Sequence, residues 1–66
     1  MLLMINGEKK ETNATTIKAL LNELGIESKV MAAAVNMNVV KKELWASHKL
    51  CENDAVEFLQ FVGGGA

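Results

Sequence analysis

The sequence predicts an α+β domain in which one helix lies on one face of a mixed sheet of four to five strands. Three observations carry this. Asn6-Gly7 separates two short extended runs. Ile17, Leu20, Leu21 and Leu24 recur at helical spacing. An alternating apolar run, Ala55 to Val62, follows the turn residues Glu52-Asn53-Asp54.

Leu2 to Ile5 reads as the first strand. Asn-Gly is the preferred pair of a two-residue type I′ turn, because both positions need positive φ. Glu8 to Thr12 is then the returning strand, and its charges suit a sheet edge, where lysines discourage pairing with other chains. Thr15 or Thr16 can cap the helix by accepting a bond from an orphan backbone N–H. The stripe Ile17, Leu20, Leu21, Leu24 gives the helix one apolar face, and Gly25 ends it by taking left-handed dihedrals. Val30 to Val35 reads as a buried strand, with Ala32-Ala33-Ala34 allowing close packing. Asn36-Met37-Asn38 is a turn, after which Val39-Val40 resumes extended structure. Lys42 to Ser47 forms a short helical turn that points Trp45 inward, and His48 to Cys51 is briefly extended.

The last strand places Val56, Phe58, Gln60 and Val62 on one face and Glu57, Leu59 and Phe61 on the other. Glu57 marks its own face as the open one. Leu59 and Phe61 are then exposed apolar residues, either a partner surface or a patch covered by a loop. Directly after them come Gly63-Gly64-Gly65-Ala66. Glycines have no side chains to pack and a large entropic cost of ordering. Such a segment is either a frayed end or something slender that enters another protein's active site.

The composition narrows the function classes. At 66 residues one domain is expected, burying roughly 60% of its unfolded surface. There is no room for an active site enclosed by the chain itself. A net charge of −1, with seven scattered basic residues, offers no basic stripe for nucleic acid. No run approaches the roughly 18 apolar residues of a membrane span. Cys51 is the only cysteine, so no internal disulfide forms, and the apolar start Met1 to Ile5 lacks the basic residues and length of a secretory signal. A cytoplasmic protein is expected.

Chemistry-bearing residues are sparse. His48 has no partner carboxylate or second histidine nearby, so no catalytic residue is expected. Cys51 lacks a zinc-ligand pattern and reads as a small buried hydrophobe. Asp54 reads as a turn residue bonded to nearby backbone. Met1, Met4, Met31 and Met37 read as core filler and turn residues. The terminal glycines are no phosphate loop, which needs a following helix or a lysine.

Taken in order, these pieces resemble the ThiS-type sulfur carriers of the ubiquitin-like β-grasp superfamily that also holds the MoaD proteins. The resemblance rests on Ile5-Asn6-Gly7, Thr16-Ile-Lys-Ala-Leu-Leu21, Ala34-Val-Asn36, Val40-Lys-Lys-Glu-Leu-Trp-Ala46 before His48, Asn53-Asp54, and Gly64-Gly65. It implies a β-grasp domain over residues 1–62 and a flexible tail over 63–66. It implies that the Gly65 carboxylate is adenylated by an E1-like enzyme using ATP and converted to a thiocarboxylate. That sulfur would be delivered to an acceptor such as a thiazole synthase in thiamine biosynthesis. No cofactor is bound by the carrier, and no metal site is expected. Gly63 and Gly64 give the tail reach, at most about 10 Å for three glycines at ~3.3–3.6 Å each. Leu59 and Phe61 would dock the partner.

One departure stands out. Members of the family typically end in Gly-Gly, whereas Ala66 follows Gly65 here. Removal of Ala66 by a JAMM-type metalloprotease is one resolution, and it points to sulfur transfer into amino acids such as cysteine or homocysteine. A molybdopterin-synthase small subunit is a further possibility, though such chains are longer. Outside the carrier class, the alternative is a small non-covalent interaction module with an inert tail.

Overall fold

The computed structural model describes residues 1–60. Five strands and one α-helix form the domain: β1 (Leu2–Ile5), β2 (Glu8–Glu11), α1 (Ile17–Leu24), β3 (Val30–Val35), β4 (Asn38–Val40) and β5 (Ala55–Gln60). The sheet order is β2-β1-β5-β3-β4. β5 runs parallel to β1 and antiparallel to β3, so the sheet is mixed. The expected α+β plan is the observed one. The boundary expected at residues 62 and 63 lies outside the described residues.

Local chemistry explains each turn. Asn6 and Gly7 have φ of 49° and 87°, the positive values that a two-residue I′ turn demands. β2 lies at the sheet edge, as its charges predict. Thr16 caps α1, its Oγ1 accepting from the Ala19 N–H at 3.1 Å. Gly25 follows the helix at φ 71°, and its N–H donates to the Asn22 carbonyl. The Ile26 N–H donates to the Leu21 carbonyl at 3.1 Å, completing a Schellman arrangement that satisfies the last orphan carbonyls.

The helix packs its apolar stripe onto the sheet. Leu3, Ile17, Leu20, Leu21 and Val56 are fully buried, each worth about 1.5–3 kcal/mol of transfer from water. Ala33, Val35, Phe58, Trp45 and Leu50 close the core around them, and Leu24 and Ile26 pack at its margin. Trp45 points inward as expected, and its indole N–H donates to the Val40 carbonyl at 2.9 Å. Thr12 is the one buried polar residue among the described residues. Its hydroxyl donates to Glu23 at 2.6 Å and accepts from the Ala14 N–H, so nothing is left unpaired.

Four expectations need correction. Cys51 is exposed, not buried. Leu50 takes the inward position beside it, and the Cys51 N–H is held by Asp54 Oδ2 at 2.8 Å in the following turn. β3 is only partly buried. A register shift between Val30 and Ala32 lets both Val30 and Ala33 face inward, three positions apart. A bulge of this kind inserts an extra residue and turns it away from the ladder. Met31 is therefore exposed and does not fill the core. Asn38 belongs to β4, paired with Val35, and the turn is Asn36-Met37 alone, both at positive φ. Met37 is a turn residue, as expected, and is almost fully exposed.

Candidate functional site

The sheet face opposite α1 carries the site. Strand alternation sends Val56 and Phe58 into the core and leaves Glu57 and Leu59 outside. The β3–β5 register sets Ala34 beside Glu57 and Ala32 beside Leu59. The β3–β4 register sets Val39 beside Ala34. Three strands thus bring Ala32, Ala34, Val39, Glu57 and Leu59 to one surface. Alanine side chains are short, so the middle strand forms the floor of a shallow apolar groove. Asn6 stands at its edge.

The groove walls face solvent. Leu59 retains 61% of its accessible surface and Val39 77%. Large apolar residues left open around one groove on a small domain mark a partner surface more often than isolated ones do. Glu57 is the charge on this surface. Among the described residues it makes no ion pair, the pairs there being Met1 amine–Glu11, Lys10–Glu23 and Lys18–Glu27. A partner covering the groove would need a cation or a water opposite Glu57 to avoid stranding its charge.

Leu59 is exposed, as expected, near the end of the described part of β5. Phe61, Gly63, Gly64, Gly65 and Ala66 lie outside the described residues. Sequence reasoning missed Val39, Ala32, Ala34 and Asn6 as parts of this surface. Val39 was within reach, because Val40 points inward and its neighbour on a strand must point out. The contribution of β3 was harder to see, since three successive alanines give no alternation to read.

The described residues gather no reactive cluster. No group of three or more His, Cys, Asp or Glu among them is arranged to hold a metal ion. His48 is half-buried in the segment after the Trp45 turn, and its backbone N–H donates to the Leu44 carbonyl. Cys51 is exposed at the turn before β5. No helix among the described residues is long and apolar enough to cross a membrane. What the arrangement does is present an apolar surface beside β5 and hold that strand in fixed register between β1 and β3.

Comparisons with known proteins agree with this geometry. The model of the ThiS family matches residues 3–65. The sulfur carrier protein ThiS of Bacillus subtilis (strain 168) is 35% identical over 68 residues, covering 97% of this chain and 100% of that protein. A thiazole synthase of Paramagnetospirillum magneticum is 39% identical over 67 residues, covering 100% of this chain and 21% of that protein. The chain therefore spans about a fifth of the length of this longer relative. The crystal structure of the thiamine biosynthesis protein ThiS from Geobacter metallireducens superposes with a TM-score of 0.80 at 30% identity, covering 98% of this chain and 100% of that one.

Proposed function

The chain belongs to the ThiS family, and on that premise we propose that it carries sulfur on the carboxylate of Gly65 for thiamine thiazole synthesis. The observation that carries this reading is the extent of the family match, which runs through Gly65 and stops before Ala66. The open groove beside β5 supports it, because a carrier needs a surface by which an enzyme can hold it while handling its tail.

The chemistry belongs to the partners. A carboxylate is a poor electrophile. An E1-like enzyme supplies ATP, the Gly65 carboxylate oxygen attacks the α-phosphorus, and pyrophosphate leaves. The acyl adenylate then has AMP as its leaving group, and a hydrosulfide nucleophile supplied by a sulfur donor displaces it, forming the C–S bond of the thiocarboxylate as the C–O bond to AMP breaks. The carrier is a cosubstrate in this scheme, and ATP is bound by its partner. Glycine suits the position because a side chain at the acyl carbon's neighbour would crowd a narrow channel. A thiazole synthase is the proposed acceptor. Its support is the relative named thiazole synthase that aligns with this whole chain over a fifth of its own length.

Gly65 is followed by Ala66, so its carboxylate is free only once the Gly65–Ala66 peptide bond is hydrolysed. A JAMM-type metalloprotease is the proposed agent. The same residue favours a second reading, in which the processed carrier supplies sulfur to amino-acid synthesis.

The test is pyrophosphate release from ATP by a cognate adenylating enzyme, with the chain ending at Gly65 as substrate. Release is expected to depend on the carrier. Leu59→Glu is expected to raise KM about tenfold with kcat little changed, since a central apolar anchor is worth more than about 1 kcal/mol. Its fold should survive, because Leu59 is exposed. Equal KM values would remove the Leu59 surface from docking. No release with the wild-type chain would overturn the carrier reading.

A further inference from the structure

Asn6 does two separate things in this fold. Its backbone makes the first turn, at φ 49°. Its side chain reaches a residue 52 positions away, where Oδ1 accepts from the Phe58 N–H at 2.8 Å. The turn requires only positive φ, which Gly or Asp would also supply. The reach to Phe58 is not a requirement of the turn.

The position of that bond matters. Backbone pairing of β1 with β5 ends at Ile5 and Val56. Met4 N–H donates to the Asp54 carbonyl and Asn6 N–H to the Val56 carbonyl, both at 2.9 Å, so even-numbered residues of this segment turn their polar groups toward β1. Phe58 is the next in that series. β1 has by then turned away into the hairpin and offers it no backbone carbonyl. The Asn6 side chain stands in for the missing carbonyl and extends the ladder by one bond. Beyond Phe58, β5 keeps β3 on its other side, where the register is interrupted near Val30 and Gln60. On the β1 side, the Asn6–Phe58 bond is the last one to β5 among the described residues.

We propose that Asn6 is a positioning residue for the tail: its side chain fixes the end of β5, and hence the direction in which Gly63 to Gly65 reach the activating enzyme. This rests on the carrier reading above. Asn6 touches no reacting atom in this account. It holds the β5 backbone at Phe58, and a carboxylate presented out of register lowers the fraction of bound carrier that meets ATP in reactive geometry. Asn6 stands at the rim of the groove while its apolar walls Leu59 and Val39 are left intact, so the effect falls mainly on kcat and KM moves little.

Two substitutions separate this role from the turn. Asn6→Gly keeps the positive φ and removes the acceptor. Asn6→Asp keeps both the tolerance of that φ and an acceptor oxygen. In Asn6→Gly, the Phe58 amide is expected to exchange its hydrogen faster while core amides such as that of Leu20 do not. With the chain ending at Gly65 and a cognate adenylating enzyme, Asn6→Gly is expected to lower kcat for pyrophosphate release on the order of tenfold, with KM within about twofold. Asn6→Asp should restore kcat to within about twofold of wild type. Unchanged Phe58 exchange in Asn6→Gly overturns the proposal whatever the activity. So does wild-type kcat in Asn6→Gly, or an Asn6→Asp variant as impaired as the glycine. Faster Phe58 exchange with an inactive wild-type chain would instead locate the failure in the carrier reading, and the tail-positioning role would fall with it.

Discussion

Leu21→Ala is expected to lower the unfolding free energy of the domain by about 2–5 kcal/mol, read as a shift of the urea midpoint at constant slope. Leu21 is fully buried, in the middle of α1, among Leu3, Leu20 and Val56 of the same core. Truncation removes the transfer free energy of three carbons and leaves a cavity that the rigid sheet cannot fill by collapse. The total at stake is small. At about 0.05–0.15 kcal/mol per residue, a chain of 66 residues has only about 3–10 kcal/mol of stability. The substitution should therefore remove a large share of it and leave some molecules unfolded at 37 °C. Met31→Ala is the control. Met31 is exposed at the β3 bulge, and its truncation should fall within about 0.5 kcal/mol of wild type. Equal effects at the two positions would mean that the helix does not pack on the sheet as described.

Gly65→Ala is expected to have the opposite profile. In a chain ending at residue 65, adenylation should fall about a hundredfold or more, while the urea midpoint stays where it was. On the proposed mechanism the methyl group adds bulk at the carbon next to the reacting carboxylate, where a partner channel fitted to glycine would leave no space. The urea midpoint is expected to hold because the core of the described residues is built from positions 3 to 58. Loss of activity with stability intact is the signature of a residue whose role lies in the partner's active site. Wild-type activity in the alanine variant would remove the argument for glycine at this position.

Much of the fold was legible because its local signals agree with one another. Asn6-Gly7, the capped stripe from Thr16 to Gly25, and the alternation from Val56 to Leu59 each specify their own geometry through one dominant cause. These are positive φ, helical period and strand period. The errors fall where two causes compete. Residue type favours burial of Cys51, but Leu50 next to it is the larger apolar group and takes the inward position. The same logic favours burial of Met31, and the bulge that expels it leaves no mark in a run of Val, Met and Ala. Of the candidate site, Leu59 was readable from the period of β5 alone. Val39, Ala32 and Ala34 needed the register of β3 with both neighbours. The Asn6–Phe58 bond joins residues 52 apart, and the hairpin signal at Asn6 concealed a second role behind a sufficient first one.

The central claim is that the Gly65 carboxylate carries sulfur, and an intact mass measures this directly. The chain ending at Gly65 is incubated with a cognate adenylating enzyme, ATP and a sulfur donor, then weighed. The predicted result is the mass gain of one sulfur-for-oxygen exchange, located by fragmentation at Gly65 and absent when ATP is omitted. An unchanged mass, with the enzyme shown to be active and the terminus confirmed as Gly65, would contradict the account.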